Sequence, residues 1–183
     1  MPSKLKTMLE LFDFGYFNST STFKTSLGFI QTLIGIGSTS ASLDSIFNVH
    51  PISENLMTSG QPTAEQFGTI KDAGFEQVIN LAPHNAENAI KNEAELLTKL
   101  GLTYTHIPVD FKNPTEDDFS RFCGALKQDK KTWVHCAANM RVSAFIYKYR
   151  IQELGLKAKE ARYDLEKLWK PFGVWAEFID YSD

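Results

Sequence analysis

From His50 onward, short apolar runs alternate with helix-like segments, and this alternation restricts the fold more than any other feature of the chain. "NLMTSGQP" reads as a short strand ending in a turn, and "QVINLA", "TYTHIPV" and "KTWVHC" read as further strands. The segments between them carry helix signals. Thr63, with Gln66 three residues on, makes a capping-box pattern for a helix that turns Phe67 and Ile70 inward and stops at Gly74. A second helix is expected from about Ala86, with Ile90, Ala94 and Leu97 on one face and Gly101 just past its end. Thr115 and Asp118 open a third over "EDDFSRFCGALKQ", and Met140 to Leu154 makes a long fourth. "KAKEARYDLEKLW" and "GVWAEFID" close the chain as helices. Such a series predicts an α/β fold with a central, mostly parallel sheet flanked by helices. In sheets of this kind ligands bind beyond the carboxyl ends of the strands.

The first ~50 residues have a different texture, rich in Ser, Thr and Gly around an apolar run from Leu27 to Ile36. That run is well short of the ~18 residues that cross a bilayer, so no membrane span is expected. Two readings stay open. Residues 1–49 are a flexible or loosely docked N-terminal extension of a cytoplasmic protein whose main domain is 50–183. Alternatively, residues 1–42 are an export signal to the periplasm, with Lys24 before the apolar run and Thr39 to Ser42 after it. A net charge of −3 without a basic block speaks against nucleic acid as a partner. Two cysteines, Cys123 and Cys136, give neither a disulfide framework nor a Cys/His cluster at zinc spacing, and no cofactor is expected.

Chemistry concentrates in "TWVHCAANMRVSAF", residues 132 to 145. Cys136 stands where a buried strand ends and just before a helix begins. The unpaired N–H groups and dipole of a helix N-terminus favour a bound anion and the thiolate form of a cysteine. That makes Cys136 the candidate nucleophile. Arg141, about one turn into the helix, offers a planar fork of donors for phosphate-like oxygens. Asp110 ends "HIPVD" and should emerge at the same sheet edge, placed to protonate a leaving oxygen. Glu116, Asp117 and Asp118 are explained by the helix start they occupy. His135 points to the opposite side of its strand from Cys136, as a support for the loop rather than a base. Asn80 and His84, at the end of the second apolar strand, are further candidates for the cleft. Cys123, near Phe119, Phe122 and Leu126, reads as core packing, and an inert buried role is the competing reading of Cys136 too.

"SGQP" (Ser59 to Pro62), "GFEQVINLAP", "THIPVDFKNPTEDDFSRF" and "VHCAANMRVSAF" together resemble the cysteine-dependent tyrosine and dual-specificity phosphatases, over about residues 50 to 155. The likeness is in particular to the bacterial phosphatase-like domain found fused to beta-lactamase-like hydrolases. This resemblance implies a dual-specificity-phosphatase-like fold and hydrolysis of phosphomonoesters through a phosphoryl-cysteine, without a metal. It implies Cys136 as nucleophile, Asp110 as acid on a mobile loop and Arg141 as oxyanion clamp. His135, Ala137, Ala138, Asn139, Met140 and Ser143 would surround the phosphate of a phosphorylated protein or a small phosphate ester. In an ungapped alignment Asn139 takes the family's glycine position and Ser143 the hydroxyl position that supports the cysteine. Val142 takes the arginine position, so Arg141 comes one residue early. Either the loop is one residue shorter or the arginine approaches from a rotated helix face. The resulting Cys-x4-Arg spacing equals that of rhodanese-type sulfurtransferases, which implies an alternative with a persulfide on Cys136. A catalytically degenerate phosphate-binding module is a third reading.

Overall fold

The computed structural model describes residues 18–35, 40–126 and 129–182. Five strands form one sheet: β1 (His50–Ser53), β2 (Leu56–Ser59), β3 (Gln77–Asn80), β4 (Thr103–His106) and β5 (Thr132–His135), in the order β1-β2-β5-β3-β4. β1 pairs antiparallel with β2, and every other pairing is parallel. In register, Ser59 and Asn80 flank His135, and His106 lies beside Asn80. Four parallel strands therefore end level, and residues 60, 81, 107 and 136 leave the sheet along one edge.

The described helices are α1 (Thr20–Leu33), α2 (Ala64–Asp72), α3 (Glu93–Lys99), α4 (Glu116–Ala125), α5 (Met140–Gln152), α6 (Ala158–Leu168) and α7 (Val174–Phe178). The Thr63 capping box with Gln66 is formed as the sequence predicts, and Thr115 caps α4 through the Asp118 amide. Every residue of β3 and β5 is buried, as expected of central strands covered on both faces. Successive residues of these strands feed two cores, because side chains alternate across a sheet. Val78 and Trp133 join Phe67, Ile70, Phe75 and Leu97 on one side. Ile79 and Val134 join Phe119, Phe122, Phe145, Trp169 and Trp175 on the other.

Two elements differ from the sequence expectation. The helix predicted from Ala86 begins at Glu93, after turns in which Ala86 N bonds Pro83 O and Ala89 N bonds Ala86 O, each at 2.9 Å. Asn92 takes a left-handed φ of 59° at the helix start, which restarts the chain direction there. The second difference lies before residue 50. Residues 20–33 form a helix, capped by the Ser19 side chain, that docks on the end of α6: Thr25 Oγ1 donates to Leu168 O (2.6 Å) and Lys170 N donates to Thr22 Oγ1 (2.8 Å). Ile36 and Thr39, invoked in the export reading, lie outside the described residues, as do residues 1–17. No described helix is long and apolar enough to cross a membrane.

Candidate active site

Cys136 is held by backbone on both sides of the central strand. His135 O accepts from Leu81 N (2.9 Å), and Cys136 N donates to Ser59 O (3.3 Å). The residue is 0% exposed, yet it contributes to the lining of a cleft of about 560 Å³, so it forms floor rather than rim. The volume falls inside the ~300–1,000 Å³ range of small-molecule sites.

Three residues turn the chain from Cys136 into α5. Ala137 O accepts from Gln61 N (3.4 Å) and Asn88 Nδ2 (3.0 Å), and Ala138 O accepts from Asn48 Nδ2 (3.0 Å). Those two carbonyls are thereby tied to the surrounding framework, and Ala138 forms an antiparallel bridge with Gly60. Asn139 makes the turn with φ +67°, a left-handed conformation that asparagine adopts more readily than most residues. Its Nδ2 donates to Asn48 O (2.8 Å) and Thr58 Oγ1 (3.0 Å). α5 starts next, with no side-chain cap on its first N–H groups, the arrangement that receives anions elsewhere. Gly60 must be glycine for this packing. A Cβ there would stand 2.7 Å from Phe47 Cδ1 and 3.1 Å from the Ala137 carbonyl.

Arg141 lines the same cleft as Cys136. Its Cζ lies 5.2 Å from the centre of the Phe111 ring, and its buried Nε has no hydrogen-bond partner. Val142 is 0% exposed within the core. Residue 141 thus meets the cleft and residue 142 the core. Asp110 reaches the cleft from the segment after β4, with Pro108, Phe111 and Lys112 beside it. Its Oδ1 accepts from Lys112 N (2.9 Å) and its carbonyl from Asn113 N (3.2 Å), a tight turn that leaves the residue exposed.

Ala137, Ala138 and Met140 also line the cleft. The side chains of His135, Asn139 and Ser143 are directed elsewhere. Ser143 Oγ donates to Met140 O and accepts from Trp169 Nε1, both at 3.1 Å, facing the core. Asn80 is engaged with Glu93 and Tyr104, and His84 packs on His106 with ring centres 3.8 Å apart. His135 Nε2 donates to Glu93 Oε1 (3.2 Å), and its ring meets Phe67 edge-on.

Glu93 itself escaped the sequence reading. It is 4% exposed and gathers Gln61 Nε2 (2.7 Å), Asn80 Nδ2 (2.8 Å), Tyr104 OH (3.0 Å) and His135 behind β5. Burial by itself would raise this carboxyl. The attraction of His135 and the hydrogen bonds from His135, Gln61 and Tyr104 outweigh it and hold the group at about 2. In the helix expected from Ala86 this residue falls mid-helix among charged neighbours, where a glutamate ordinarily faces water. Among the described residues no three of His, Cys, Asp and Glu are grouped so as to hold a metal.

A parallel sheet whose central strand runs into a cysteine, a short loop and an arginine-bearing helix defines the dual-specificity and tyrosine phosphatase-like class. A family model described as "DSP-PTPase phosphatase fused to NAD+ Kinase" matches residues 38–170, and the chain belongs to that family. It is similar to a beta-lactamase hydrolase-like protein of Xylella fastidiosa, 34% identical over 94 residues. That match covers 49% of this chain and 22% of the relative, so the chain corresponds to about a fifth of the relative's length. Among solved structures, a DUF442 protein of Shewanella putrefaciens is 32% identical, with a TM-score of 0.68 over 75% of this chain and 92% of that one. The core catalytic domain of the PP-IP phosphatase SIW14 from S. cerevisiae shares the fold, at 14% identity and a TM-score of 0.63 over 75% of this chain and 87% of that one.

Proposed function

We propose that this protein hydrolyses phosphomonoesters by cysteine chemistry. Cys136 is the nucleophile, Asp110 the proton donor, and Arg141 with the amides of residues 137–141 the clamp on the phosphoryl oxygens. The observation that carries the reading is the convergence of Cys136 and Arg141, from the end of β5 and the start of α5, with Asp110, from the segment after β4, on one cleft. In the first step the Cys136 thiolate attacks phosphorus and the P–O bond to the leaving group breaks. The leaving oxygen takes the proton of the Asp110 carboxyl. Water then attacks the phosphoryl-cysteine, Asp110 takes up its proton, and inorganic phosphate and thiolate are released. Arg141 stabilises the charge on the non-bridging oxygens in both steps. The scheme needs no cofactor, and it suits a phosphorylated protein or a small phosphate ester. A cytoplasmic location is part of this proposal; it is supported by α1, which removal of residues 1–42 as a signal would delete and which is hydrogen-bonded into the body of the domain.

The test assays purified protein side by side on para-nitrophenyl phosphate and on thiosulfate with cyanide. Phosphate release that disappears in Cys136→Ser and falls at least about 100-fold in Asp110→Asn is the expected result. Sulfur transfer that needs Cys136 and ignores Asp110 would replace the phosphatase with a sulfurtransferase. Phosphate binding without turnover of either substrate would leave a binding module.

A further inference from the structure

Helix α1 lies outside the matched segment 38–170, yet it reaches the cleft: Phe29 lines it together with Cys136, Arg141 and Phe111. Resting on the phosphatase reading, we propose that α1 is a specificity element of the site, with Phe29 as the wall that selects esters by the group carrying the phosphate.

The placement of Phe29 arises from the helix itself. Thr22, Thr25, Ser26 and Leu33 are its buried residues, and Phe29 completes their i, i+3, i+4, i+7, i+11 series. The docked face therefore carries Phe29 with it. Its anchors are specific: Thr25 Oγ1 to Leu168 O, Thr22 Oγ1 from Lys170 N, and Thr25 Oγ1 from Asn48 Nδ2 at 3.1 Å. The same Asn48 amide donates to Ala138 O of the loop after β5, so one side chain spans from α1 to the residues around Cys136. Gly28, adjacent to Phe29, allows the close approach. A Cβ there would meet the Phe47 ring at 2.6 Å, and Phe47 in turn lies against Gly60 beside the Ala137 carbonyl. α1 is thus seated against the segment 47–48 that braces the loop.

The chemistry of the wall sets what it selects. Phe29, Pro83, Ala86, Phe111 and Met140 give the cleft apolar sides, while Cys136 and Arg141 line its proposed phosphate end. An extended apolar group bound to the phosphate would lie against Phe29. Inorganic phosphate, held at the loop, would not reach it.

The experiment compares binding of 1-naphthyl phosphate and inorganic phosphate to the full chain carrying Cys136→Ser, which holds the ester without turnover. Adding Phe29→Ala is expected to weaken naphthyl phosphate about fivefold, an effect in the range of one aromatic contact, with phosphate affinity unchanged. Phe29→Leu, which keeps an apolar wall, should recover most of the difference. Equal loss for both ligands, or no loss for either, would overturn the assignment of Phe29. Phosphate release from naphthyl phosphate by the unmodified enzyme is scored separately. Its absence with selective binding intact would remove the phosphatase reading and keep the wall. Failure of both ligands to bind would remove both.

Discussion

The guanidinium of Arg141 lies 5.2 Å from the centre of the Phe111 ring, so the arginine of α5 is in direct contact with the segment that carries Asp110. Trp175 Nε1 holds that segment from below through the Phe111 carbonyl (2.8 Å). A cation over an aromatic face is worth ~0.5–2 kcal/mol. Phe111→Leu should keep the backbone contact and lose the ring. The expected result is a fall in kcat/KM on para-nitrophenyl phosphate between about two- and thirtyfold. Unaltered kinetics would show that the stacking does not position Arg141.

Arg141→Lys keeps the charge and removes the planar fork. A lysine presents a point charge that two phosphoryl oxygens cannot share in the same plane. We expect kcat/KM to drop about 100-fold, comparable to the loss of one oxyanion donor. Circular dichroism and thermal midpoints would show that the fold is retained. Activity within a factor of about two of the unmodified enzyme would place the clamp on the loop amides alone.

Asn139 combines a left-handed backbone with two side-chain hydrogen bonds, to Asn48 O and Thr58 Oγ1. Asn139→Gly removes the bonds and frees the backbone, at a cost of about 2 kcal/mol. Asn139→Ala loses the bonds and also forces a Cβ into the left-handed region, for roughly 3 kcal/mol in all. Urea unfolding should therefore rank the asparagine above glycine and glycine above alanine. The reverse order of the two variants would contradict the backbone argument.

The Glu93 carboxyl lies below its ordinary value in the folded chain, at about 2 rather than 4.5. As pH falls, the unfolded state takes up this proton first. The stabilisation from Glu93 is therefore complete above about pH 4.5 and is lost as pH falls towards about 2. Urea midpoints measured from about pH 7 to about pH 3 should decline below 4.5, and Glu93→Gln should flatten that decline while lowering stability at neutral pH. Parallel pH profiles for the two proteins would show that Glu93 is not the titrating group.

Much of the fold was legible because it rests on local rules. Thr63 with Gln66 and Thr115 with Asp118 mark helix starts through bonds that span only three residues, and both are present. The runs around Val78 and Trp133 are apolar on both faces because helices cover both sides of the sheet. The false start at Ala86 is the converse case. Its apolar spacing fits a helix, but the chain uses that stretch for turns at the cleft and begins α3 at Glu93, where the carboxylate is drawn under β5. A buried four-partner network of this kind leaves no local pattern, since Gln61, Asn80, Tyr104 and His135 lie on four different segments.

The order strand, Cys136, loop, Arg141, helix was determined by sequence alone, because a buried strand and the helix after it are separated by only a few residues and each carries its own local signal. Which of residues 141 and 142 meets the cleft was decided by tertiary packing: the core takes Val142, and the helix turns Arg141 towards Phe111. The seat of α1 was decided there as well. Its docked face is built from Thr22, Thr25 and Ser26, and two of these hydroxyls bond to the distant backbone of residues 168 and 170. Hydrophobic periodicity could not reveal that face, because its anchoring partners exist only once the rest of the chain has folded.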